Sequence, residues 1–228
     1  PKPIWNATKW ENKGLLLYNV RLNFKTIIDT LKTIGEYLFP VKKVINKFTS
    51  IKSKEDLQKF VQERSAHVTQ TTLYGYVKTR IGTRYTAMIQ DEKFSESINI
   101  AKWNIYVASI SDLTLYVFSY LIDQKNLKEN EAEEVFNNII NLETKNGLDE
   151  TLSSQAKNEF SSRIKTINWD KFHLDRPFHN SGLALYRWAP IADDLKVLDK
   201  EIVLNSIKLK WNIVENEFKE FTKNLNFN

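Results

Sequence analysis

Along most of the chain the apolar positions recur every three or four residues, a spacing that gathers them on one face of an α-helix. Leu17, Val20, Phe24, Ile27, Ile28, Leu31 and Ile34 predict a helix over residues 15–38. Phe39-Pro40 interrupts it, because proline disfavours a helical conformation in the residue before it. Val41, Val44, Ile45 and Phe48 then mark a second, shorter helix. Ser53 is a candidate N-cap for a third, with Asp56 three residues on, close to a capping box. Leu57, Phe60, Val61 and Val68 form its inward stripe, which lapses at Thr69, Gln70, Thr71 and Thr72. Branched threonines are poor helix formers, so tertiary contacts must hold that stretch in a helix. Apolar spacing resumes at Leu73, Tyr76 and Val77, and Gly82 is expected to end the helix.

Residues 94–122 are apolar on most faces. One stripe runs through Ile98, Ala101, Ile105, Ala108 and Leu115, another through Trp103, Val107, Ile110, Val117 and Leu121. Such a helix belongs in a core. Lys102, Asn104, Ser109, Ser111, Asp112 and Ser119 interrupt it too often for a membrane span. Asp112 is then a buried carboxylate and needs a cationic partner or a proton. Of the cations Lys78, Arg80 and Arg84 in the basic segment ahead of this helix, one of the arginines is expected to be the partner.

The remaining pattern gives a charged helix over 126–146, closed by Asn146-Gly147, and a weakly apolar one over 148–167. Residues 168–181 read as a loop. Pro190, a residue favoured at the first helical position, opens a last long helix to about Leu225. Asp193 and Asp194 near its start suit the helix dipole. Two stripes run along it, through Leu198, Ile202, Leu209 and Ile213 and through Ile207, Trp211, Val214 and Phe218. The predicted fold is all-α: one multi-helix domain of six to seven helices over 51–228, preceded by a basic amphipathic helical arm over 1–50. Because the hydrophobic mass follows Phe94, that arm is expected to be dispensable for the fold and needed for docking.

Composition agrees. Six Gly and five Pro in 228 residues leave few turns, which favours long helices over many short strands. The absence of Cys excludes a disulfide scaffold, a thiolate metal site and a cysteine nucleophile. No leader pattern of charged, apolar and small residues opens the chain, so a cytoplasmic location is expected. The net charge of +5 is unevenly spread. Residues 1–90 hold 16 Lys and Arg against 6 Asp and Glu, and residues 91–228 hold 17 against 22. Such asymmetry points the front half toward an anionic surface. The plainer reading is a dipolar protein whose halves attract each other.

Motifs for catalysis are sparse. There is no G-x-S-x-G nucleophile elbow and no phosphate-cradling glycine loop, and nothing calls for a cofactor. Two S-x-x-K matches, Ser154 to Lys157 and Ser162 to Lys165, fall on a polar helix. Asp170, His173, Asp175 and His179 form a metal-like cluster without a helical H-x-x-x-H spacing. His67 suits a hydrogen bond in helix packing. The stronger constellation is Arg64, Lys78, Arg80 and Arg84 with Tyr74, Tyr76 and Tyr85, since cations bind phosphate oxygens and aromatic faces stack on bases. The arm adds Arg21, Lys25, Lys42, Lys43 and Lys47, which flank or face away from its apolar stripes. The same residue types also make ordinary buried ion pairs and tyrosine hydrogen bonds.

Three passages, TLYGYVKTRIGTRY (72–85), SINIAKWNIYVASISDL (97–113) and RWAPIADDLKVLDKEIVLNSIKLKW (187–211), together resemble a family of small alphaproteobacterial helical proteins whose members often carry the label esterase. The resemblance spans roughly residues 55–215 and implies a bacterial, non-secreted helical protein, with no family catalytic motif to carry across. The expected function is non-catalytic binding. Residues 1–90 would dock on RNA in a ribosome-associated ribonucleoprotein particle, as part of a larger assembly. The alternatives are a peripheral membrane-surface protein, a subunit of a protein complex, and a hydrolase with an unrecognised site.

Overall fold

A computed structural model describes residues 50–124, 127–223 and 225, and among them there is no strand. Six helices of ten residues or more follow one another: α1 (Lys54–Ile81), α2 (Glu92–Asp123), α3 (Asn130–Lys145), α4 (Glu150–Ile164), α5 (His179–Trp188) and α6 (Asp193–Phe221). A 3₁₀ turn, Gly82–Arg84, and a single-turn helix, Tyr85–Ile89, join α1 to α2, and a second 3₁₀ turn, Phe172–Leu174, lies ahead of α5. The predicted arm lies outside the described residues, apart from residue 50.

Local chemistry sets the helix ends. Ser53 Oγ accepts the Asp56 N–H at 3.2 Å, and Glu55 and Asp56 sit in the first turn of α1, where the dipole favours them. At the other end Gly82 takes φ 61°, a left-handed conformation that costs a side-chain-bearing residue but not glycine. Asp91 caps α2 through the Phe94 N–H at 2.9 Å, and Asp149 caps α4 through the Thr151 and Leu152 N–H groups at 2.9 and 3.0 Å. The last helix departs from expectation: α6 opens at Asp193 with Ala192 as its cap, three residues after Pro190. The presumed loop over 168–181 contains the 3₁₀ turn and the first turn of α5.

α2 is the hub, packed against α1, α3, α4 and α5. By length and composition it could cross a membrane, yet most of it is buried by the helices around it. Only residues 82–91 join α1 to α2, so α1 doubles back along α2, and between them the Thr69 hydroxyl donates to Ser109 Oγ at 3.2 Å and the Tyr106 hydroxyl to the Gln62 carbonyl at 3.3 Å. This explains the run of threonines: Thr69 faces a serine of the hub, while Thr71 and Thr72 donate to the carbonyls of His67 and Val68 at 2.8 and 2.7 Å. α6 lies antiparallel along α1, from Ile51, whose N–H donates to the Phe221 carbonyl at 3.2 Å, to Arg80 beside Asp199. Its buried face is Val203, Ile207, Trp211, Val214 and Phe218. The other expected stripe, Leu198, Ile202, Leu209 and Ile213, faces solvent. The core is mainly aliphatic with close aromatic pairs, Phe178 on Trp211 at 4.4 Å and Phe136 on Phe160 at 3.9 Å.

Candidate nucleic-acid interface

The predicted cationic and aromatic residues lie on α1, from Arg64 in its middle to Arg80 near its end, and on the short turns that follow it, and the structure divides them into two groups. Arg80 pairs with Asp199 of α6, which is only 3% exposed. The Tyr76 hydroxyl donates to the same carboxylate at 2.9 Å. Burial pushes the Tyr76 phenol up, with Arg80 pulling the other way. Arg64 donates from Nε to Glu217 at 2.6 Å and lies over the Phe60 ring. These three side chains fasten α1 to α6. Lys78 and Arg84 are exposed and have no ion-pair partner among the described residues. Tyr74 and Tyr85 are half-buried, and burial raises the Tyr85 phenol. Arg21, Lys25, Lys42, Lys43 and Lys47 lie outside the described residues.

Asp112 is buried as expected, but its partner is Arg163, not Lys78, Arg80 or Arg84. Its Oδ1 accepts from Arg163 Nη2 at 2.9 Å and its Oδ2 from the Ser181 N–H at 2.7 Å. The reason is register. With Thr69 facing Ser109 in an antiparallel pair, residues 78–84 lie beside the first turns of α2. At 1.5 Å per residue, that is about 20 Å along the hub from Asp112. Arg163, in the last turn of α4, also donates to Ser111 Oγ at 2.6 Å. Ser181 in turn accepts the Trp211 indole N–H at 3.0 Å. One carboxylate thus ties α2 to α4, to the N-terminal turn of α5 and, through Ser181, to α6. Burial raises its carboxyl, outweighing the opposing pull of Arg163 and the Ser181 bonds.

A second buried polar group has no sequence signal of its own. Glu143, 1% exposed on α3, accepts from Gln62, from the Tyr106 hydroxyl at 3.0 Å and from Asn146 Nδ2 at 3.1 Å. Lys102 is buried beside Trp103, and burial brings its ammonium down to about 8, with Glu143 opposing. Glu143 reads as one more charge of a surface helix; only its spacing of four and three residues from Ile139 and Ile140 aims it inward. With Glu143, Gln62, Tyr106 and Lys102 all buried, this group is a polar clamp between helices.

The weaker candidates find ordinary roles. Ser154 and Ser162 each donate to the carbonyl four residues back in their own helix at 2.9 Å. Among the described residues no group of three or more His, Asp or Glu could hold a metal ion. Of the cluster over 170–179, His173 Nδ1 lies 2.9 Å from Ser119 Oγ. His67 is half-buried, and burial lowers its imidazole, helped by Arg64. No family model, curated protein or solved structure matches the chain.

Proposed function

We propose that the protein is a non-catalytic helical binding protein whose basic front half docks on RNA in a ribonucleoprotein particle. The observation that carries this reading is the contrast at the end of α1. Arg80 and Tyr76 are committed to Asp199, while Lys78 and Arg84 stand in solvent without an acidic partner among the described residues. Cations left unpaired on a surface are what a phosphate backbone neutralises, and the half-buried Tyr74 and Tyr85 are the aromatic side chains this reading offers to bases. The charge balance of residues 1–49, nine Lys and Arg against three Asp and Glu, supports the same reading.

The test is fluorescence anisotropy of a labelled single-stranded RNA with the full chain over a range of salt. Log affinity is expected to fall linearly with log salt, by about 0.7 for each phosphate neutralised. Lys78→Ala and Arg84→Ala should each lower that slope by about one contact. A salt-independent affinity, or double-variant binding equal to the parent's, would overturn the proposal.

A further inference from the structure

Six of the nine large hydrophobic side chains exposed among the described residues lie on one helix, α6. Five of them, Leu195, Leu198, Ile202, Leu209 and Ile213, share the face opposite the one packed on the core. Leu198 is 75% exposed and Ile202 68%, so this face is not the margin of the core. The positions Leu195, Leu198, Ile202, Asn205 and Leu209 step by three, four, three and four, the alternation of a coiled-coil seam. The seam is about 27 Å long at 1.5 Å per residue.

We infer that this face is a dimerisation seam, on which α6 of a second copy of the chain packs antiparallel across a two-fold axis beside Asn205. A two-fold interface must be complementary to itself, and this stripe reads nearly the same from either end. Turned about a point level with residue 204, Leu195 meets Ile213 of the second copy, Leu198 falls within one residue of Leu209, and Ile202 meets Ser206. Asn205 lies one residue from the axis, close to its own mate, and a polar pair in such a seam fixes register. The flanking charges agree: Glu201 and Lys208, both exposed on one edge of the stripe, come opposite each other twice. The outer layer sets Asp194 against Glu215, with Lys219 one turn on to offset the like charge. A parallel pairing brings neither Glu201 nor Lys208 to an opposite charge, which favours the antiparallel arrangement. One helix from each copy places the contact at the small end of specific interfaces, under about 1,200 Å² in total. The expected dimer therefore dissociates in the micromolar range. This inference is independent of RNA binding, which uses the end of α1.

The chain has no cysteine, so introduced thiols report without background. In the full chain, Asn205→Cys is expected to form a disulfide-linked dimer on mild oxidation. Leu198→Cys alone should not, because its mates lie far apart across the axis, whereas a mixture of Leu198→Cys and Leu209→Cys proteins should link. Light scattering should show the parent's mass doubling at micromolar concentrations and Ile202→Asp staying at one copy with an unchanged helical spectrum. Glu201→Lys should weaken the dimer about fivefold, and Glu201→Lys with Lys208→Glu should restore it. A parent that stays monomeric throughout would overturn the seam, whether residues 15–38 or another protein covers the stripe. Self-linking of Leu198→Cys would overturn the antiparallel arrangement.

Discussion

Replacing Asp112 with alanine tests whether one buried carboxylate holds the hub in place. The substitution removes acceptors for two donors. The Ser181 N–H, in a buried first turn of α5, is left without its bond, at a cost of about 1–3 kcal/mol. Arg163 loses its carboxylate, but its side chain is 24% exposed, so water recovers part of that loss. The full penalty for breaking a buried pair, about 3–5 kcal/mol, is therefore an upper bound. The expected loss is about 3 kcal/mol for Asp112→Ala and about 1–2 kcal/mol for Asp112→Asn, which keeps an acceptor for Ser181. Against a total of about 5–15 kcal/mol for a domain, the first is a large share. Urea titration followed by far-UV circular dichroism measures both. Dependence on pH separates the charge from the shape. Burial raises the Asp112 carboxyl, so the folded protein holds that proton more tightly than the unfolded chain. The stability this adds is fully present below the ordinary carboxylate pKa and is lost as pH rises through the raised one. The gap between parent and Asp112→Asn should accordingly narrow as pH climbs through the carboxylate range. A gap that widens would mean that attraction to Arg163 outweighs burial, and an Asp112→Ala protein as stable as its parent would refute the whole account.

Two further outcomes follow from particular residues. Gly82→Ala, at φ 61°, should destabilise by roughly 1–2 kcal/mol, whereas Gly75→Ala, in the exposed interior of α1 with open space around it, should stabilise by about 0.5–1 kcal/mol. Thermal melts of the two variants should therefore move in opposite directions, and a shared direction would count against the glycine assignments. Burial lowers the Lys102 ammonium to about 8, so between there and the ordinary lysine value of 10.5 the unfolded chain binds the extra proton and stability should rise with pH. Lys102→Met should abolish that rise in urea titrations across the same window.

What the sequence revealed, and what it hid, divides by the range of the interaction responsible. Ser53, Gly82 and the apolar residues of α2 act within a turn or through burial itself, and each stands where its spacing predicts. Asp112 was legible as a buried charge for the same reason. Its partner was not, because nearness along the chain says nothing about which helix end faces mid-α2. That is decided by the antiparallel register between Thr69 and Ser109 and by where α4 stops. The two stripes of α6 look alike in periodicity, and only packing shows that Trp211 and Phe218 face the core while Leu198 and Ile202 face out. Likewise Arg80 and Lys78 are both cations at the end of α1, two residues apart, and the half-turn of helix between them decides which one meets Asp199. Helix α5 went unread because its start, His179 and Asn180, is polar, and the Ser181 N–H in its first turn is satisfied from another helix by Asp112.

The bond between Ile51 and Phe221 has a mechanical consequence. It brings the two ends of the six-helix body to one corner, with α1 and α6 leaving that corner side by side. A force applied at residues 51 and 223 therefore does not shear the pair along its length, where every contact would resist at once. It peels the helices apart from the shared end, breaking the Ile51 bond first, then Phe60 against Phe218, then Arg64 from Glu217, with Arg80 and Asp199 last. An unfolding machine pulling from that corner would meet these contacts one at a time, and single-molecule traces should show yielding at low force in several small steps.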